Sequence, residues 1–254
     1  MALQFVGADT GFGTNTAHNV SLTALTGGID TQARENDLVI VITGFVGNTD
    51  TNANPGVSTA GYTEILDLFD GTGTRDVNLS VNWKIMGASP DASVTCTGSE
   101  LNLNGAASIA YVWRGADLTT PIDVTPTTAS GSLTVPNGPS ITPITAGSVV
   151  LTLAGSAGPF SDPTQDPPTG YANLAVSEND PNLGFTTAVA SKSWTSGAED
   201  PGAWPSWGTT DIAESWVSAT IALRAVLLPT ITTQPASQTV SVGQTATFSV
   251  VATE

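Results

Sequence analysis

Basic residues are scarce in this chain. Six Lys and Arg stand against 22 Asp and Glu, giving a formal net charge of -16 over 254 residues. Such a surface repels phosphate backbones and anionic headgroups, so it argues against nucleic acid and membrane insertion. Cysteine is scarcer still: Cys96 stands alone, which excludes a disulfide within the chain. Histidine occurs once, as His18, so any Ser-His-Asp triad would have to be built on it. The opening "MALQFVGADT" lacks the basic and apolar regions of a secretory signal. No apolar run approaches the ~20 residues that span a bilayer. Together these absences lead to the expectation of folding in a cytosol.

Charged residues make up only 11% of the sequence while 40% is hydrophobic, which is not the composition of a disordered chain. Helical periodicity is almost absent. The informative runs are "DLVIVITGFVG" (37–47), "DVNLSVNWKIMG" (76–87), "ASIAYVWRG" (107–115), "GSVVLTLAG" (147–155), "GFTTAVASKSW" (184–194) and "WVSATIALRAV" (216–226). Each is rich in Val, Ile, Thr or aromatics and is bounded by Gly, Pro, Asn or Asp, the pattern of strands. In "VNLSVNWKI", Val77, Leu79, Val81, Trp83 and Ile85 share one face, with Asn78, Ser80, Asn82 and Lys84 on the other. That alternation predicts a half-buried antiparallel strand. The more apolar "LVIVI" and "VVLTL" are expected to lie centrally.

An internal repeat organises the chain. "DLVIVITGFVG" aligns with "SVVLTLAGSAG", and each is followed by a Gly-Tyr, at Gly61 and Gly170. Lys84 and Lys192 then fall in equivalent places, as do the strand ends at Arg114 and Arg224. The offset stays near 110 residues, relating about 35–115 to 147–226. One sheet of such a unit has an apolar face that must be covered. The expected fold is therefore all-β: a jelly-roll-like antiparallel sandwich of about eight to ten strands, spanning 1–228 and built from two related halves. The stretches 47–60, 125–140, 156–170 and 195–211 read as long loops rich in Gly, Pro, Asn and Asp, of the kind that carry function.

Candidate chemistry is limited. No Gly-x-Ser-x-Gly elbow accompanies His18, which reads as a loop or strand-edge residue. Carboxylates of a glycosidase could come from Asp162, Asp166, Glu178, Asp180, Glu199 and Asp200, though nothing singles out a pair. In "DTNANPG", Asp50, Asn52 and Asn54 are candidate calcium ligands. Against them, Pro55 takes the place of the motif's glycine and Gly61 that of its final glutamate, so solvated turn residues are the alternative. Trp204 and Trp207 in "GAWPSWG", with Trp194 and Asp200 nearby, form a candidate glycan-stacking platform. The competing reading has these tryptophans plugging the sandwich end or an interface. Trp83, Trp113 and Trp216 are expected in the core, Cys96 as a small buried hydrophobe, and Arg114 and Arg224 in salt bridges at strand ends.

Two stretches carry resemblances. "PTITTQPASQTVSVGQTATFSVVA", within 229–254, resembles the first strands of an immunoglobulin-like domain strung along phage and bacterial surface proteins. Such a domain needs about 100 residues, so the resemblance implies a linker and an incomplete copy. The order "NDLVIVITGFVG", "GYTEI", "LSVNWKIMGASPDASVTCT" and "VWRGADLTTPID" is similar to β-sandwich modules of phage virion proteins. That likeness implies a non-enzymatic virion structural protein, in head decoration or in a tail fibre or spike. It would sit on the virion surface beside capsid or tail proteins, form a homo-oligomer, and project its immunoglobulin-like part for host adhesion, with host surface glycan as a further partner. A carbohydrate-binding module and a glycan-degrading enzyme are the alternatives.

Overall fold

A computed structural model describes residues 2–13, 17–47, 52–97, 105–132, 134–157, 166–179, 184–205, 207, 214–227 and 230–253. The first half supplies β1 (Gln4–Gly13), β2 (His18–Ser21), β3 (Leu38–Gly47), β4 (Gly56–Val57), β5 (Thr63–Asp70), β6 (Asp76–Ile85), β7 (Ser93–Thr97) and β8 (Gly105–Arg114). The second supplies β9 (Thr127–Gly131), β10 (Asn137–Gly138), β11 (Val149–Ser156), β12 (Ala172–Glu178), β13 (Thr186–Ser193), β14 (Gly202–Ala203) and β15 (Trp216–Leu223). Two short strands follow, β16 (Thr230–Thr233) and β17 (Val251–Thr253).

Two five-stranded antiparallel sheets form the body, ordered β1-β8-β3-β6-β5 and β9-β15-β11-β13-β12. The orders match strand for strand, so the repeat is a repeat of whole sheets. Val39 pairs with Lys84 in the first sheet and Val150 with Lys192 in the second, the same register in both. A jelly roll interleaves its chain between two sheets. Here the chain completes one sheet before starting the other. The sheets meet in crossed sequence: β1 packs on β12, β8 on β13, β6 on β15 and β5 on β9. This is the arrangement of a pseudo-two-fold axis passing between β3 and β11, which are the central strands as their apolar runs predicted.

The inner core draws alternate residues from both sheets, among them Leu38, Ile40, Ile42, Leu79, Val81, Ile109 and Tyr111 against Leu151, Leu153, Val189, Val217 and Ile221. On β3 and β11 the inward row reaches Gly44 and Gly155, related by the repeat. A Cβ on Gly44 would stand 2.5 Å from Phe185 Cζ and 2.6 Å from the Asn78 carbonyl oxygen. One on Gly155 would stand 2.7 Å from Leu79 Cδ1 and 2.8 Å from Phe185 Cζ. The fully buried Phe185 ring occupies the space both glycines leave.

The outer faces are covered as well, which differs from the half-buried strands expected. A three-stranded sheet, β2-β7-β4, lies over the first sheet and buries Val20, Val94 and Cys96 against Val39, Val41, Ala110 and Val112. A β10-β14 ribbon and its flanks cover the second, placing Ile141, Trp204 and Trp207 on Val150, Ala154, Ala188 and Ala222. Asn78 and Ser80 are consequently buried, and Ala53 N–H donates to Asn78 Oδ1 at 2.8 Å. Burial on both faces explains why the central strands are continuously apolar. Three stretches expected as loops contain short strands: β4 in 47–60, β9 and β10 in 125–140, and β14 in 195–211.

Beyond the sandwich, β16 pairs antiparallel with β17, and Gly243 (φ 89°) lies in a turn closed by Gln244 N–H to the Ser241 carbonyl. Val240, Val242, Phe248, Val250 and Val251 are exposed, and the buried clusters include no residue of this ribbon. The Pro229 junction lies outside the described residues.

The close approach at Gly44 leads to a direct expectation. Gly44→Ala forces a methyl onto a ring and a backbone carbonyl, and should cost about 1–3 kcal/mol in urea unfolding. Combining it with Phe185→Leu should recover part of that loss, because the ring is one of the two obstacles.

Candidate functional site

The halves are joined by Arg114–Asp123, the "RGADLTTPID" segment, and this junction is built from charge. Arg114, at the end of β8, donates from Nε and Nη2 to the fully buried Asp37 at 2.8 and 2.9 Å. Gly115 (φ 87°) turns the chain, and Asp117 Oδ1 accepts from the Thr119 and Thr120 N–H groups at 2.9 and 2.8 Å. Arg224, the repeat counterpart of Arg114, donates from Nε to Asp123 Oδ1 at 3.2 Å. Asp123 Oδ2 also accepts from the Ile144 and Thr145 N–H groups. The salt-bridged strand ends read from the sequence are therefore present in both halves.

A second paired feature is legible in the repeat but only in part. Lys84 donates to Asp91 at 2.7 Å and lies 5.3 Å from the Tyr62 ring centre. Lys192 donates to Glu199 at 2.7 Å and lies 5.7 Å from the Tyr171 ring centre. Gly61 and Gly170, both at positive φ, let the turn pass close beside each lysine stem. Each acid lies seven residues after its lysine, a spacing visible in the sequence only once the two halves are aligned. Burial first, and the neighbouring carboxylate second, push the Tyr62 and Tyr171 hydroxyls far above their ordinary range. Burial raises Tyr111 likewise. These are cation–carboxylate–phenol clamps between strand and turn.

His18 opens β2, an edge strand of the small covering sheet, as the strand-edge reading expected. Its Nε2 lies 2.8 Å from Ser108 Oγ, which donates to Thr43 Oγ1 at 3.1 Å. Ser108 and Thr43 are cross-strand partners on the outer face of the first sheet, and Cys96 is the partner of His18 across β2 and β7. A serine beside an imidazole is the arrangement nucleophilic catalysis uses. Here Ser108 has no exposed surface, so its hydroxyl cannot meet a substrate in this conformation. The buried Cys96 thiol is raised by desolvation, which opposes the thiolate that chemistry at sulfur requires.

The candidate glycan platform is corrected by burial. Trp204 is 0% exposed and Trp207 4%, with their rings edge to face at 5.8 Å. Their faces lie against the outer side of the second sheet, where a sugar ring cannot stack, so the plug reading describes them. Trp194 is half-buried and donates from Nε1 to the Gly197 carbonyl; Asp200 is exposed and accepts from Gly202 N–H. Of the candidate calcium ligands, Asp50 lies outside the described residues, while Asn52 and Asn54 are exposed. Among the described residues no three His, Cys, Asp or Glu gather as a metal site. Asp162 and Asp180 also fall outside the described residues. Glu199 is engaged by Lys192 and the Tyr171 hydroxyl. Trp113 and Trp216 are core residues and Trp83 packs beside the core, as expected.

Comparisons with protein-family models, curated proteins and solved structures give no match for this chain.

Two titrations follow from this geometry. With all three tyrosines held up, the near-ultraviolet absorbance of phenolate should rise in one cooperative step at alkaline unfolding, with no earlier non-cooperative phase. The Thr120 and Thr119 N–H groups depress Asp117 to about 2. A depressed carboxyl contributes stability above its unfolded value, roughly 4, that is lost as pH falls through about 2. Asp117→Ala should cost about 1 kcal/mol at neutral pH and flatten the acid dependence between those values, read by urea midpoints.

Proposed function

We propose that this chain is a non-enzymatic structural module of an assembled surface, a phage virion decoration or tail component. In this reading the duplicated sandwich is the anchor and the C-terminal ribbon begins an outward immunoglobulin-like extension. The observation that carries the reading is the commitment of the reactive side chains to architecture. Every Lys and Arg is in an ion pair: Arg34 and Arg114 with Asp30 and Asp37, Arg75 with Glu214, Lys84 with Asp91, Lys192 with Glu199, and Arg224 with Asp123. The single histidine is bonded to a buried serine, and the paired tryptophans are core. Supporting it are the sequence resemblance to virion sandwich modules and an uncharged ribbon that exposes its apolar side chains.

The test is localisation in intact particles. Gold-labelled antibody to the sandwich should mark purified particles, on the head lattice for a decoration protein or at the distal tail for a fibre. Preparations whose particles carry no label, with the protein free in the host lysate, would overturn the assignment. Host polysaccharide should leave the Trp204 and Trp207 fluorescence unquenched, since those rings are packed inside.

A further inference from the structure

One segment joins the halves, and it belongs almost wholly to the second. Arg114 still pairs with Gln4 of β1 and is held by Asp37. Beyond it, Ala116 bridges to Ala225 and Ile122 to Leu223. The Asp117 and Asp123 N–H groups donate to the Arg224 and Ala222 carbonyls. Arg224 donates in return to the Pro121 carbonyl and, from its side chain, to Thr120 and the Asp123 carbonyl. The boundary falls within Gly115. Its carbonyl accepts from Val226 N–H, and its φ is 87°. Glycine reaches that conformation without strain and a β-branched residue does not. A Cβ there would also stand 2.9 Å from the Ala2 carbonyl oxygen. A single residue of positive φ thus turns the second half back onto the first.

The charges of this junction stay within one half each: Arg114 with Asp37 in the first, Arg224 with Asp123 in the second. Moving the halves apart breaks neither. Across the turn lies a groove of about 260 Å³, with Glu35, Asn36 and Arg114 on one wall and Ala116, Leu118 and Val226 on the other. Leu118 is 49% exposed and Leu227, the residue after Val226, 50%. The contacts that hold the halves together lie elsewhere. They are the inner core, the Tyr111 hydroxyl on the Asn173 carbonyl at 2.8 Å, Ser177 and Asn179 on the Gly11 and Gly13 carbonyls, and the Arg75–Glu214 ion pair at 3.2 Å. The two main sheets share no strand, and a single cysteine allows no disulfide between them. None of these contacts requires the two halves to come from one chain.

We propose that Gly115 is the hinge of a reciprocal exchange of halves between two copies of this chain. With Gly115 extended, the first half of one copy meets the second half of the other, and every contact between halves is remade across the two chains. The interface itself selects the partner. Only another copy carries the matching face, with Phe185 for the space beside Gly44 and Glu214 for Arg75. The two chains cross at their Gly115 residues, so the half-exposed Leu118 and Leu227 of both copies gather between the two composite sandwiches. The closed monomer and the exchanged dimer therefore differ in the Gly115 backbone and in the covering of those leucines. Exchange needs the halves apart, so it is set during folding and not by mixing folded chains. This goes beyond the surface role proposed above and fails separately from it, because its readout is mass and not location.

Two charge-reversed full chains test it, Arg75→Glu and Glu214→Arg. Each alone sets like charges against each other between its halves. Refolded together from urea, they are expected to form a one-to-one dimer in which one sandwich regains the pair reversed and the other regains it as in the native chain. Light scattering after size exclusion reads twice the monomer mass, and two different tags co-purify. Gly115→Val, which disfavours the closed turn at both hinges of a dimer, should raise the dimerisation constant on refolding at least about tenfold. Charge-reversed chains that behave together as they do apart would overturn exchange. So would a Gly115→Val chain that stays monomeric at every refolding concentration. A mixed dimer that dissociates on dilution without unfolding would be a side-by-side pair, and would overturn it too.

Discussion

Two glycines decide how near the halves can come. Gly44 and Gly155 sit on the central strands at repeat-related positions, and the single ring of Phe185 fills what their missing side chains leave. Sheets packed face to face are normally about 10 Å apart, with side chains from both sides interdigitating. Here one aromatic ring from the second half serves both strands near the pseudo-axis. Two symmetry-related rings would collide there, so the two halves must differ where they meet. The duplication is preserved in topology and broken in side chains.

Polar chemistry follows the same division. Parts repeated in both halves are clamps: a lysine over a tyrosine ring with its acid seven residues on, and an arginine at the end of the strand beside the centre, paired to a buried aspartate. Parts found in one half only are adaptations to what covers it. The first sheet carries Asn78, Ser80, Thr43 and Ser108 under its covering: Ser108 bonds to His18 and Thr43, Asn78 accepts from Ala53 N–H, and Ser80 accepts from Asn82 Nδ2. The second sets Val150, Ala154, Ala188 and Ala222 under Trp204 and Trp207, alongside the buried Thr152, Ser218 and Thr220. Buried polar groups demand partners, whereas apolar ones demand only volume.

Much of this was legible in the residues. The β-branched runs gave the strands, "LVIVI" and "VVLTL" gave the centre, and the 110-residue offset gave two related halves. What the pattern could not show was the second layer of covering. Alternation along "VNLSVNWKI" looks the same whether Asn78 and Ser80 meet water or a covering segment. β9, "TTASG", lacks any apolar signature because it is an edge whose side chains are half-wet. The tryptophans misled for a related reason: a Gly/Pro-rich context suggests exposure, but β10 and β14 turn that loop back onto the sheet. The acids of the lysine clamps were invisible until the halves were superposed.

The contiguity of each sheet has a consequence for synthesis. β1 pairs with β8, so the first sheet can close as soon as Arg114 has emerged. Its covering face, which includes Val81, Ile109 and Tyr111, then waits for a partner that lies roughly 110 residues downstream. At ribosomal rates of about 5–20 residues per second, that face stays open for roughly 5–20 s. During that interval two nascent first halves present each other with nearly the surface the second half will offer. The fold thus carries its own competitor, and the inequality built around Phe185 favours the chain's own second half over a neighbour's first.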